Sequence, residues 1–467
     1  MFEMQSFVDG HAHPLFAGRE ALGPRVDGLT SIAAIKQTVL AYATANPELA
    51  WIVGGAYDRS LATSFMAEWL DEVVADRPVV LHASDHHTIW VNSRALEIAG
   101  LSKSAPEVAI GSVDVDENGK PTGTLRESGA MELVLNQIPP RSKSEELAAL
   151  SWAHEQMLSH GITAVQDAWI EPGMTEVYLE ALAAGLLKVR TNLAFRITPE
   201  NWESSFEYFL EMREKVQLAD SPMLTAKTVK FFADGVLGSG TAAVLEPYDD
   251  FDHHGEPVWR TAELERAARK YASENFQLHI HAIGDAGVRT ALDVIESVVP
   301  TVGPSVIAHT ELVQASDIAR FGKLNVVANF EPLWARKDGM LTSCIPHIGE
   351  RRIDQMYRMR TFIDSGATIS FGSDWPVSSV APLLGIQTAV TRAVPGEPGW
   401  TLEEAITPIE AIAAYTSNAR LQTLDDFEVP ETVLLSANPA ETPADSIHQI
   451  KVIEVRRGEK IIWRNEN

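Results

Sequence analysis

The sequence predicts an α/β fold: a (β/α)8 TIM-type barrel with a large α+β insertion after strand 1 and a reduced β-sandwich remnant at the C-terminus. Three observations predict it. From about residue 145 helical patterns alternate with short apolar runs, as successive βα units around a parallel sheet require. Counting one run at the start of the chain, these runs number eight. The 467 residues exceed one ordinary domain, yet a barrel with insertions absorbs that length.

The first barrel strand is read at residues 6–9 and runs into His11-Ala-His13, so residues 1–14 hold one strand and one HxH motif. Residues 15–144 are too many for a βα loop and must carry structure of their own. A helical period at 32–44, an apolar strand at 78–82, a helix at 92–99 and a turn at 116–119 make this an inserted α+β subdomain. The main body of the barrel is expected over 145–425. It opens with a helix at 145–160, and strands follow at 161–167, 187–195, 226–232, 276–280, 305–308, 324–329 and 368–371. In the remainder, 426–467, two strand-like runs at 448–455 and 460–463 flank an Arg-Arg-Gly-Glu turn, which reads as a hairpin outside the barrel.

The chain is 45% hydrophobic and 22% charged, as a globular protein is. Its net charge of −26 argues against nucleic acid, whose phosphates need clustered Lys and Arg. No stretch approaches the roughly 18 apolar residues of a membrane span, and the N-terminus has no basic-then-apolar leader. The expectation is a cytoplasmic protein with a small-molecule substrate and no membrane or nucleic-acid partner. Cys344 is the only cysteine, so an intrachain disulfide and a cysteine-based metal site are excluded, and it is read as a small buried hydrophobe.

In a strand, residues i and i+2 share a face, so His11 and His13 can reach one metal ion. Alone, an HxH is weak evidence. Later strands, however, end in Lys230 (AKTVK), His281 (QLHIH), His309 (VIAH) and Asp374 (SFGSD). In a (β/α)8 barrel such strand ends converge on one mouth. The plain alternatives are a Lys230–Asp234 ion pair and Asp374 as a helix N-cap.

These motifs carry a resemblance. FVDGHAHP at 7–14, LHASDHHTIWVNSRALEIAG at 81–100, DENGKPTGTLRES at 116–128, GITAVQDA at 161–168, VKFFADGVLGSGTAA at 229–243, HIHAIGDAGV at 279–288, IAHTELV at 307–313 and FGSDWPV at 371–377 resemble the amidohydrolase superfamily. Within it they resemble amidohydrolase family 3, the N-substituted formamide deformylase-like metal-dependent hydrolases. The resemblance implies one or two divalent metals, zinc first. His11 and His13 would hold the more buried ion, His281 and His309 the more exposed one, and Lys230 would bridge them as a carbamate. It implies that Asp374 is both ligand and general base for a metal-bound hydroxide attacking an amide-like C–N bond. His279 is left as a strand residue.

For substrate binding the resemblance points to Asp85 and His87, while Trp90 and Trp334 are candidate apolar walls, a residue type that more often simply packs a core, and Arg126 is a candidate anchor or structural ion pair. The rival readings are an ester or phosphoester hydrolase on the same site, and a non-catalytic binding or regulatory barrel. One departure is the early HxH: relatives place several sandwich strands before it. Strands left without those partners would present open edges that favour a homo-oligomer.

Overall fold

The computed structural model describes residues 1–84, 86–108, 111–250, 252–298 and 301–466. The eight apolar runs form β1 (Phe7–Ala12), β2 (Ile162–Ile170), β3 (Arg190–Arg196), β4 (Leu224–Phe232), β5 (Gln277–Ala282), β6 (Ser305–His309), β7 (Val326–Phe330) and β8 (Ile369–Phe371). They make one sheet in chain order, with each neighbouring pair parallel. The runs read as continuous rather than alternating apolar segments because β1, β5, β6, β7 and β8 are buried along their whole length.

The sheet curls back on itself. Just past β8, the N–H groups of Ser373 and Asp374 donate to the His11 carbonyl at 3.1 and 2.7 Å. Gly372 permits this approach, since a Cβ there would lie 2.6 Å from the Cβ of His11. Outer helices bury one stripe each: Leu264, Ala268 and Tyr271 on Thr261–Ser273, and Val288, Leu292 and Ile295 on Asp285–Ser297, at the spacing of a helix face.

The chain divides into two compact units, Met1–His13 with His154–Asn467, and Pro14–Ala153. The second unit is built on a five-stranded mixed sheet in the order Ile52–Tyr57, Val79–Ala83, Thr88–Val91, Pro121–Arg126, Ser112–Val115. Alternate residues of these strands feed two apolar clusters, one with Leu81 and Trp90, the other with Val80 and Ile89. The expected helices appear as Ile32–Ala45 and Ser93–Ile98, and Asp116–Gly119 turns the hairpin between Ser112–Val115 and Pro121–Arg126. The sequence reading missed Ile52–Tyr57, whose Gly54 and Gly55 blur a strand signal.

The ends of the chain also differ from expectation. A 3-10 turn at residues 444–449 takes up the first two positions of the strand expected at 448–455, and the strand itself is Val452–Arg457, paired with Lys460–Arg464. These two join Glu431–Leu435 and the N-terminal Phe2–Gln5 in a four-stranded antiparallel sheet. The short segment before β1 therefore already has a partner. Among the described residues, no helix is long and apolar enough to cross a membrane.

Candidate metal centre

The end of β1 is braced by Asp9. Its carboxylate accepts from the N–H groups of His11 and Ser373 at 3.1 and 3.0 Å and from the Ser373 hydroxyl at 2.6 Å, which ties β1 to the segment after β8. Burial lifts the Asp9 carboxyl to about 6 against these hydrogen bonds. Two other strand ends hold unusual backbone: His309 and Thr310 at φ 75° and 47°, and Asp374 at φ 50°. Such left-handed conformations cost of order 1–3 kcal/mol each for non-glycine residues and cluster at functional sites.

This backbone presents His11, His13 and Asp374 to one another. All three are buried, and each offers a ligand atom within 4.8 Å of the others; they form the one such group found among the described residues. His13 Nε2 lies 2.8 Å from Asp374 Oδ1, and His11 Nε2 lies 3.4 Å from the same oxygen. Lys230 Nζ, fully buried on β4, is 3.3 Å from His11 Nε2. The His309 ring is 4.9 Å from that of His11 and 4.4 Å from that of His281, between centroids. The six residues expected at the strand ends are thus one contiguous cluster.

The charges there suit a cation. Burial disfavours a proton on His13, yet the carboxylates of Asp167, 3.8 Å away, and Asp374, at 2.8 Å, outweigh it and raise the ring to about 9. A positive charge is thus favoured between two carboxylates, a place that would suit a divalent ion instead of that proton. Burial pushes His11 and His281 well below the ordinary histidine value and His309 to about 3, so these rings are neutral, the form that ligates metal. Burial also brings Lys230 down to about 7, against the pull of Asp374 and Glu331. Two imidazoles and a carboxylate, with further imidazoles alongside, are donors that fit zinc, iron or manganese.

Two plain alternatives from the sequence are not what forms. Asp234 accepts from the N–H groups of Ala243, Ile283 and Gly284 at 2.9, 3.0 and 2.8 Å, and Lys230 is turned to His11 instead. No helix starts at Asp374, so it caps none.

Of the expected substrate residues, Trp334 stacks on His309 with the ring planes 6° apart and centroids 5.4 Å apart. The others belong to the second unit. Trp90 is fully buried against Tyr57, Phe65 and Trp69 and donates to the Met66 carbonyl, so it is a core residue there and not a pocket wall. Arg126 makes a two-pronged ion pair with Asp114, at 2.9 and 2.8 Å, and also donates to the Thr63 carbonyl. His87 pairs with Glu127 at 2.9 Å. Asp85 lies outside the described residues.

The sequence reading missed the residues that surround these histidines. His279 Nε2 is 3.0 Å from His11 Nδ1, Glu331 Oε2 is 3.0 Å from His309 Nδ1, and Asp167, which accepts from the Tyr178 hydroxyl, lies 3.8 Å from His13 Nδ1. A signal existed for His279. The i, i+2 rule that pairs His11 with His13 puts His279 and His281 on one face as well.

Comparison with known proteins agrees with this geometry. The model of the amidohydrolase family matches residues 6–427. The chain is 28% identical to the Bacillus subtilis (strain 168) amidohydrolase-family protein YtcJ over 97% of this chain and 86% of that one. It is 25% identical to the N-substituted formamide deformylase of Arthrobacter pascens over 75% of this chain and 65% of that one. A crystal structure of a metal-dependent hydrolase from Pyrococcus furiosus superposes with a TM-score of 0.70 at 25% identity, covering 91% of this chain and 83% of that one. With a parallel barrel, a buried His-His-Asp cluster at its strand ends and a family match over nearly the whole chain, this protein belongs to the amidohydrolase family and is a metal-dependent hydrolase.

Proposed function

We propose that the protein hydrolyses an amide-like C–N bond of a small molecule. The observation that carries this reading is the buried grouping of His11, His13 and Asp374 with Lys230 beside it. The kinship with an N-substituted formamide deformylase supports the choice of bond. His11, His13 and Asp374 would hold the metal, with His281 and His309 completing the site. Lys230, which is partly uncharged near neutral pH, would bridge as its carbamate.

Zinc is the expected ion; when bound it supplies a Lewis acid that polarises a carbonyl and lowers the pKa of water toward neutrality. The work of the chain's own residues is proton transfer and orientation. Burial alone would raise the Asp374 carboxyl, but the 2.8 Å contact with His13 Nε2 helps to hold it well below the usual carboxylate range, so it is ionised, the form that can ligate a cation and take up a proton. A C–N bond needs that proton returned to the leaving nitrogen, and one carboxylate can do both. Trp334, stacked on His309, would give the substrate an apolar wall.

The test has two parts. Elemental analysis of wild-type, His11→Ala and His13→Ala proteins should find about one to two divalent ions per chain in the first and most of them lost in the others. Matched amide, ester and phosphoester substrates then decide the bond. Preference for the ester or phosphoester would overturn the C–N assignment while leaving the hydrolase intact.

A further inference from the structure

The interior of the barrel below the candidate metal centre is not filled by aliphatic side chains alone. Gln166, Thr228, Gln277, His279 and Gln422 are all fully buried, and they form one connected hydrogen-bond chain that ends on His11. A chain of this kind has a direction, and main-chain carbonyls set it, because they can only accept.

Gln277 Nε2 lies 2.8 Å from the carbonyls of both Pro304 and Gln422, so that atom is the donating nitrogen and Oε1 faces inward. Thr228 donates to this oxygen at 2.7 Å and Gln166 Nε2 donates to it at 3.2 Å. Gln166 must therefore turn its Oε1 toward His279, where it lies 3.1 Å from Nδ1. A second anchor agrees: Gln422 Nε2 donates to the Gly10 carbonyl and, at 3.2 Å, to the same Gln166 oxygen. Facing an obligate acceptor, His279 carries its proton on Nδ1, which leaves Nε2 as the acceptor 3.0 Å from His11 Nδ1.

We infer that this amide chain, acting through His279, fixes the His11 ring with its proton on Nδ1 and its bare Nε2 turned toward Lys230 and Asp374, where it would ligate a metal. The inference rests on the reading of His11 as a ligand. The opposite tautomer would set two lone pairs against each other at His11 Nδ1 and His279 Nε2. In exchange it gains only the contact from His11 Nε2 to Asp374 at 3.4 Å, well beyond the ~2.7–2.9 Å of a strong imidazole–carboxylate bond. His279 is thus a positioning residue: it acts through His11 and decides which nitrogen of that ring is available.

Two measurements test this. The first is the ¹⁵N imidazole spectrum of His11 in the metal-free wild-type chain, assigned by its loss in His11→Gln. A protonated Nδ1 with a bare Nε2 is expected, and a proton on Nε2 overturns the inference without reference to metal or activity. The second is the Zn²⁺ dissociation constant of the full chain and of two variants of similar size. His279→Leu removes the acceptor, whereas the Oε1 of His279→Gln can take the place of Nε2. The Leu variant should bind Zn²⁺ about 10–100-fold more weakly and the Gln variant within about threefold of wild type, the range known for residues that orient metal ligands. Equal weakening of both, or none in either, overturns the positioning role. The parallel His11→Ala titration separates the two levels: unaltered Zn²⁺ affinity there would remove His11 as a ligand, while the ¹⁵N spectrum still judges the hydrogen-bond chain.

Discussion

The two units bury different things. Inside the barrel unit the sheet encloses His11, Gln166, Thr228, Lys230, Gln277, His279 and Gln422, all essentially inaccessible to water and joined to one another. The inserted unit encloses Ile35, Val39, Tyr57, Phe65, Leu70, Leu81 and Trp90. A polar exception there is Asn92, which accepts from the N–H groups of Val79 and Ala95 and donates to the carbonyls of Val74 and Arg77, so its four bonds tie loops to strands. A buried polar group costs free energy unless it is hydrogen-bonded. The insertion accepts that cost where a single side chain secures backbone. The barrel accepts it many times over in a chain that leads to the strand ends, and such an investment is expected where chemistry is done and not where only folding is served.

The largest effect expected from this contrast is at Asp374. Asp374→Asn should keep the fold, seen by circular dichroism, and lose turnover by a factor on the order of 10² to 10⁴, the range for removing a general acid–base. Near-wild-type turnover would make the polar strand end structural and erase the contrast. In the insertion the corresponding probe is Trp90→Ala. Removing a fully buried indole should destabilise the protein by ~3–5 kcal/mol in denaturant unfolding, with metal content per folded chain unchanged. Loss of metal at undiminished stability would give the apolar core a role in the site.

A third probe asks whether a buried imidazole outside the network behaves as an ordinary core group. His154 is fully buried, accepts from the Lys188 N–H at 3.3 Å, and burial together with Lys188 lowers its pKa from 6.5 to about 3. The unfolded chain binds a proton at this position below pH 6.5 and the folded one does not until about pH 3, so its contribution is intact above 6.5 and is lost as the pH falls between the two. Wild type should lose on the order of 1.4 kcal/mol per pH unit more than His154→Gln across that window. Parallel urea titrations at several pH values measure the difference, and identical slopes would mean that the native ring is already protonated.

The smallest effect is expected at Arg126. Its ion pair with Asp114 is partly exposed, so Arg126→Met should cost less than about 1 kcal/mol. If the pair is all Arg126 provides, KM stays unchanged; a rise in KM at constant stability would return Arg126 to the substrate side and make the insertion more than a folded appendage.

What could be read from the chain follows the range of the signals. The eight strands were legible because apolar runs and helical periods are local, and His11, His13, Lys230, His281, His309 and Asp374 because they lie at or just past the ends of five such runs, His11 and His13 sharing the first. Whether Trp90 packs a core or walls a pocket was left open, because residues in a strand alternate between two faces and both faces of this sheet are covered. The pairing of Phe2–Gln5 with Glu431–Leu435 was not, because register between segments more than 400 residues apart leaves no trace in either one.

By itself, then, the sequence determined the succession of elements and the kinds of side chain delivered to the strand ends, since both depend on side-chain type and on spacings of a few residues. Tertiary structure alone decided which groups meet: that Lys230 turns to His11 and not to Asp234, and that His279 lies against His11 with Gln166 behind it. It also decided the direction of that hydrogen-bond chain. The donor and acceptor ends of an amide are alike in sequence, and only the fixed carbonyls of Pro304, Gln422 and Gly10 around them tell the two apart.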